Sequence, residues 1–421
     1  MPPPIQPLPI NAHLNQYEKQ AEELLTTYQS ADAQRVHQIL EHDLSFRHWP
    51  ESISQDKEFT LADAQQLIAR VYGFESWGQL THYVDQVTQE NSAVWQFEAA
   101  VDALVTGNIA TLESLLLTNP NLIRMRSMRV HQAMLLHYIG ANGVENYRQK
   151  SPRNAVEIAR LLLKAGAEVD ALADTYGKGT TLGLVATSIH PRRAGVQIPL
   201  IDTLLNYGAS VDGVSTGWPP LMAALANGCP EAAETLRRNG ARVDSIVAAA
   251  GLGRLKLVQS FFTEDGHFKT NESDTPAWGI HKEPSAQLES AFLYACTYGH
   301  IDVVSFLLSR DVDPNAQDTD GQTSLHCAVL GGQLNLVKWL LERNNPLEVR
   351  NVYGGTVLGQ ALWCLANGNP ELDYAPIIDA LLSAGATIEP GTLNWLAQQV
   401  TLSSTKRMRI EHLLRQYGAA S

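Results

Sequence analysis

Apolar residues recur along most of the chain in short amphipathic runs that come in pairs. From Ala295 the chain reads A-C-T-Y-G-H-I-D-V-V-S-F-L-L, and from Ala328 it reads A-V-L-G-G-Q-L-N-L-V-K-W-L-L. Ala295 and Ala328, Gly299 and Gly332, Val304 and Val337, and Leu307 and Leu340 each stand 33 residues apart. A fixed period of this size marks a repeat architecture built from one recurring hairpin. Each run is too short to hide its apolar face alone, so the pattern predicts a stack of helix pairs, each covered by the next. With the paired apolar position as a ruler, further copies fall at Leu115, Leu162, Leu204, Leu236, Phe261, Leu381 and Leu413. A glycine precedes five of the anchors by one fixed interval, at Gly107, Gly228, Gly253, Gly299 and Gly332. The third copy has Val196 there, and an insertion displaces Gly143 in the second. Gly-Ala steps such as Gly166-Ala167 and Gly385-Ala386 supply the left-handed residue that closes a second helix.

Between the two clearest runs lies N-A-Q-D-T-D-G-Q-T-S-L-H, from Asn315 to His326. Together these residues closely resemble the ankyrin repeat, with Ser324 in place of the motif's proline. The resemblance implies an all-α ankyrin-repeat solenoid of about nine helix pairs over residues 95–421, entered through N-terminal helices. It implies that His137 and His326 bond backbone between neighbouring repeats. It also implies that partners dock on the turn fingers and on the exposed side of the first helices. Carried over position by position, the fingers offer Thr175, Tyr176, Trp218, Thr319, Asp320, Gln322, Val352 and Tyr353, and the first helices offer Tyr298 and Leu330. Trp278 sits in a long finger insertion. Exposed Tyr and Trp in a groove are the residue types that dominate interface energetics.

Three copies stretch between their helices, from Gly143, Thr187 and Ala366, and these insertions are expected to project away from the fingers. The stretch 263–287 stands where a finger should be and is expected near the concave groove. The short step from Leu236 to Phe261 implies a truncated finger over 242–247 and a weak joint in the array.

The first ninety residues differ. Residues 1–14 hold five prolines in their first nine positions and are expected to be extended and disordered. Residues 15–90 read as helical. The pattern over Gln16–Leu40 is helical and polar-faced, and Thr60 with Asp63 forms a capping-box variant in T-L-A-D-A-Q-Q-L-I-A-R-V. Gly73 ends that helix, and Ser76-Trp77 starts the next, running to Val84. The L-A-D-A-Q…G-F-E-S-W pattern, continued by L-L-H-Y-I-G-A-N-G-V-E-N-Y-R-Q, resembles a group of uncharacterised bacterial ankyrin repeat proteins. This region reads as a helical cap over the first repeat or as a separate binding module.

Charge narrows the function. Among 421 residues, 31 Lys and Arg stand against 44 Asp and Glu, a net charge of −13. A nucleic-acid or anionic-membrane binder needs clustered cations, so neither is expected. No run approaches the roughly 18 uncharged apolar residues of a membrane span. The start lacks a basic and apolar leader, and Cys229, Cys296, Cys327 and Cys364 form no CxxC pair, so a reduced cytoplasmic setting is expected. No Walker loop, HExxH, GxSxG or dinucleotide fingerprint occurs. Cys296, His300, His326 and Cys327 have no tetrahedral spacing, so no metal or cofactor is expected.

One constellation stands outside a pure scaffold. His137, Asn142, Glu145, Tyr147 and Arg148 from the second copy and Thr181, His190, Arg192, Arg193 and Gln197 from the third belong to neighbours in the stack. Convergent Arg forks could hold an anion, and His190 with Glu145 could serve acid–base chemistry in one pocket. The leading expectation remains a non-catalytic protein-binding scaffold that takes a protein with a basic face in its concave groove. A ligand-binding or enzymatic pocket between the second and third copies is the alternative.

Overall fold

The computed structural model describes residues 8, 13–29, 59–214, 219–269, 283–369 and 371–419. The stretch 270–282 with Trp278, and Trp218 in the fourth finger, lie outside the described residues, as does most of the Pro-rich start.

Among the described residues three helices precede the repeats: Leu14–Gln29, Leu61–Val71 and Trp77–Val87. The second begins at a reciprocal cap. Thr60 Oγ1 accepts from the Asp63 N–H at 3.3 Å, and the Thr60 N–H donates to Asp63 Oδ2 at 2.9 Å. It ends at Gly73 in the left-handed region, and Ser76 caps the third helix. Tyr17, Tyr72, Phe74, Leu80 and Tyr83 form their common core, against which Met125 and Met128 of the second finger pack. The helices therefore cap the array's first apolar face, which a repeat cannot leave exposed.

Nine helix pairs follow among the described residues, and the chain divides into two compact units, Met1–Ala241 and Arg242–Ser421. In the first unit the pairs are Ala93–Thr106 with Ile109–Thr118, a 3₁₀ turn Leu135–Gly140 with Ala155–Lys164, Thr181–Thr187 with Gln197–Asn206, and Pro220–Ala226 with Pro230–Arg238. Their first elements pack on one another in chain order. In the second unit the pairs are Ile246–Gly251 with Leu255–Ser260, Pro284–Tyr298 with Ile301–Leu308, Ser324–Leu330 with Leu334–Leu341, Val357–Asn367 with Ala375–Ser383, and Thr392–Ala397 with Ser404–Gln416. The first helices of the fifth to eighth pairs again pack in sequence order. The fold is thus an all-α repeat solenoid, with hairpins that bury their apolar sides on their neighbours.

The anchors Leu162, Leu204, Leu236, Leu307, Leu340 and Leu381 are buried in these seams. In the first, fifth and ninth copies the ruler is off by one. Leu116, Phe262 and Leu414 are buried there, and Leu115, Phe261 and Leu413 are only partly covered. One residue is about 100° around a helix, so the seam falls on the neighbouring position. Of the stretch 263–287, only residues 263–269 and 283–287 are described. The first part turns back through a Phe262–Phe268 bridge, and the Phe262 ring packs edge-on at 5.3 Å against Phe306 of a second helix.

Two of the described fingers are short antiparallel turns, with Leu172 opposite Thr180 and Gln317 bridged to Thr323. The two repeat histidines tie consecutive units. His137 Nδ1 accepts from the Met134 N–H at 3.0 Å, which leaves the proton on Nε2 to donate to the Ala171 carbonyl at 2.9 Å. His326 Nε2 likewise reaches the Gly355 carbonyl at 3.3 Å.

Candidate functional site

The second-copy insertion does not project. It folds inward as a 3₁₀ turn, Asn146–Arg148, and carries its charges into the core between the cap and the first two pairs. Glu145 is fully buried. Arg129 Nε lies 2.6 Å from Glu145 Oε1, His131 Nε2 lies 3.4 Å from Oε2, and Arg148 Nη1 lies 3.3 Å from Oε1. Arg148 also pairs with Glu98 and, at 2.8 Å, with Asp102, both on Ala93–Thr106. Burial alone would raise the Glu145 carboxyl, but Arg129, His131 and Arg148 outweigh it and hold it well below the usual carboxylate range.

Arg129 is the link to the cap. Its Nη1 donates to the Tyr72 carbonyl at 2.6 Å, and its guanidinium lies 5.3 Å from the Phe74 ring and 5.2 Å from the Tyr83 ring. Its Nη2 donates to the Tyr147 hydroxyl at 3.3 Å. Such a set is what a buried charge needs: opposite charges, hydrogen bonds and aromatic faces on every side.

This geometry corrects the expectation of an open pocket. Glu145, His137 and Arg148 are sealed from water and paired with neighbouring groups. The partners of the Glu145 carboxylate are Arg129, His131 and Arg148, with the Tyr138 hydroxyl at 3.5 Å. His190 sits instead on the short helix Ile189–Arg193, where burial and then the Arg193 charge lower its pKa. Arg192 donates to the Gly228 carbonyl of the fourth pair at 2.6 Å, and Gln197 is buried with its amide on the Val185 carbonyl at 3.0 Å. The Thr181 side chain is also buried. The insertions thus supply seam contacts.

The two sets of candidate residues meet at one place. The Tyr176 hydroxyl donates to Asn142 Oδ1 at 3.0 Å, and Asn142 Nδ2 donates to Thr187 Oγ1 at 2.9 Å. Tyr176 is 58% exposed and stands at φ +47°, in the left-handed region that an aromatic residue seldom adopts. Its finger therefore holds a part-exposed aromatic ring tied through its hydroxyl to Asn142.

In the second unit the tips of the seventh and eighth fingers join. The Val352 N–H donates to the Asp320 carbonyl at 2.8 Å, and the Tyr353 hydroxyl reaches Asp320 Oδ1 at 3.4 Å. Tyr353 is 77% exposed, and Val352 and Thr319 are exposed beside it. Gln322 departs from its expected place at the tip. The Asp318 turn draws its N–H in to Asp318 Oδ1 at 2.8 Å, and its side chain is buried. On the first helices, Leu330 is 39% exposed and Tyr298 is half-buried. Trp363, which sequence reasoning missed, is 50% exposed. It stands one period after Leu330, so adding 33 to Leu330 would have found it.

Among the described residues no group of three or more His, Cys, Asp or Glu is placed to hold a metal ion. The four cysteines are buried free thiols, and burial pushes the Cys327 thiol up to about 12, far from a reactive thiolate. Among the same residues no helix is long and apolar enough to cross a membrane.

Comparison with known proteins agrees with this architecture. The family described as ankyrin repeats (many copies) matches residues 292–341. Inversin of Danio rerio is 36% identical over 75 residues, 17% of this chain and 7% of that protein. The potassium channel SKOR of Arabidopsis thaliana is 35% identical over 79 residues, 18% of this chain and 10% of the channel. An ankyrin repeat-containing protein of Schizosaccharomyces pombe is 39% identical over 64 residues, 15% of this chain and 31% of its own length. The chain thus spans less than a third of each of these relatives, and what it shares with them is the repeat.

Proposed function

We propose that this ankyrin-repeat chain is a non-catalytic protein-binding scaffold that works in the cytoplasm. The observation that carries the reading is the row of exposed apolar side chains in the second unit. Leu330 and Trp363 stand at equivalent positions of neighbouring first helices, and Tyr353 stands on the finger that leads into the second of them. Large rings held at the surface by a rigid scaffold lose little entropy on binding and bury much area. Tyr176 is the corresponding ring on the first unit's third finger, and Thr319 and Asp320 complete the second unit's edge. Ankyrin repeats generally mediate protein–protein contact, which favours the same face. The excess of acidic residues favours a partner with a basic face, through encounter rate before affinity.

The test is site-directed photocrosslinking in cells. A photoreactive residue at Tyr353 is expected to capture one discrete partner, and one at His412 is not. Trp363→Ala in the first protein is expected to abolish the adduct. Equal capture from both positions sinks the reading.

A further inference from the structure

Resting on that protein-binding reading, the geometry points to the class of partner the second unit takes: an extended basic segment whose arginines stack on Tyr353 and Trp363 and pair with Asp320, while apolar side chains seat beside Leu330.

The charge on the finger row is one-sided. Residues 311–323 carry Asp311, Asp313, Asp318 and Asp320 and no Lys or Arg. The next finger carries Glu348 and Arg350, and Arg350 is already held by Glu389 at 2.5 Å and by the Gly354 carbonyl at 2.6 Å. The other two cations between 311 and 356, Lys338 and Arg343, belong to the second helix and its end, where Arg343 lies 3.6 Å over the Trp339 ring. Among these acids Asp320 is the one that lies against the exposed Tyr353 ring. Its carboxylate has the Tyr353 hydroxyl at 3.4 Å as its side-chain partner among the described residues. A long, neutral hydrogen bond leaves most of that charge available to an incoming cation.

Geometry favours an extended occupant. Neighbouring first helices lie about 8–10 Å apart, and an extended chain advances about 3.3 Å per residue, so roughly three residues span one pair. A segment alternating apolar and basic side chains then presents apolar groups to Leu330 and cations to the ring and carboxylate of the fingers. Arg suits this site better than Lys. Its planar guanidinium lies flat on Trp and Tyr and grips a carboxylate with two N–H groups. An acidic segment would meet the same fingers with like charge and be rejected.

The experiment uses the full chain and four fluorescein-labelled dodecapeptides: alternating Arg-Leu, Lys-Leu, Glu-Leu and Arg-Ser. Anisotropy titration is expected to show Arg-Leu binding at least fivefold tighter than Lys-Leu and tenfold tighter than Arg-Ser, with no binding of Glu-Leu. Trp363→Ala is expected to weaken Arg-Leu at least tenfold. Asp320→Asn is expected to weaken it about threefold and flatten its salt dependence. Glu371→Gln, in the eighth-pair insertion, leaves it unchanged. Circular dichroism controls for folding. If Arg-Leu binds equally well to the Trp363 and Asp320 variants, the attraction is diffuse and the inference is overturned. A second arm selects peptides by display against the wild-type chain. If the selected peptides lack Arg yet lose binding in Trp363→Ala, the surface binds proteins but not this class, and only the present inference falls.

Discussion

Arg129 Nε stands 2.6 Å from Glu145 Oε1, and water reaches neither side chain. The contact is an ion pair rather than an aligned hydrogen bond. Arg129 is bonded at the same time to the Tyr72 carbonyl of the cap, 57 residues earlier. One guanidinium therefore ties the N-terminal helices, the second finger and the second insertion into one core.

Removing one member of that pair strands the other without water. Glu145→Ala is expected to destabilise the first unit by about 3–5 kcal/mol, the usual penalty of an uncompensated buried charge. Arg129→Met with Glu145→Met removes both charges and fills similar volume, so it is expected to lose less than half as much. Urea unfolding followed by tryptophan fluorescence measures both variants. A double variant as damaged as the single one would mean that the pair is not what holds the junction.

Stability should also fall in mild acid. Burial lowers the His137 pKa from 6.5 to about 4, although its two backbone hydrogen bonds oppose the shift. Between those values the unfolded chain takes up a proton that the native ring refuses. Stability is therefore complete above pH 6.5 and is lost as the pH falls toward 4, by on the order of 3 kcal/mol from this group. Burial lowers His326 and His300 as well, so they add in the same direction. Glu145, whose pKa is depressed, adds its loss only below its ordinary value of 4.5. Urea midpoints at pH 7, 5.5 and 4.5 read the slope. His137→Gln is expected to start lower and fall less; an unchanged slope would assign the effect elsewhere.

Much of this architecture is readable because its signals are local. The step from Leu307 to Leu340 repeats within one period, and the Thr60–Asp63 cap spans four residues. The charge cluster is not readable in that way. Glu98 meets Arg148 from 50 residues away, and Arg129 meets Tyr72 from 57. Read alone, Arg129 and Arg148 are charges in polar stretches, which usually means a solvated loop. Only tertiary packing shows that these loops turn inward. Gln322 fails for a related reason: its place in the finger motif is right, but the Asp318 turn decides which way its side chain goes. Trp363 escaped notice because the insertion that follows it obscures the eighth copy.

Close packing of neighbouring repeats gives a separate test. A Cβ added at Gly331 would come within 1.8 Å of the Thr297 carbonyl oxygen, which belongs to the preceding pair's first helix. Backbone cannot swing aside as a side chain can, so Gly331→Ala must push the sixth and seventh pairs apart. The expected loss is about 1–3 kcal/mol or more, as for an overpacked core. Gly166 also resists a side chain, through its φ of +92°, but nothing lies within 4 Å of its Cβ position. Gly166→Ala should cost about 1–2 kcal/mol from backbone strain alone. Melting of the two variants is expected to rank Gly331→Ala as the worse. The reverse order would mean that helix pairs yield more easily than a left-handed turn.

The fifth pair should open first among the pairs of the second unit. Its helices, Ile246–Gly251 and Leu255–Ser260, have six residues each, and the segment before them lacks a paired finger. A helix that short keeps few internal hydrogen bonds, because the first four N–H groups of any helix have no partner within it. Ile246 to Gly251 are all buried, but five of the six are Ala, Val or Gly and add little apolar area. The sixth and seventh pairs have the longer Pro284–Tyr298, Ile301–Leu308 and Leu334–Leu341. In a repeat array stability is the sum of local hairpin and interface terms, so a thin pair opens ahead of its neighbours. Native-state hydrogen exchange is expected to show amides 246–260 exchanging at least tenfold faster than the interior amides of Ile301–Leu308 and Leu334–Leu341. Equal protection would show that burial alone compensates for the missing finger and the short helices.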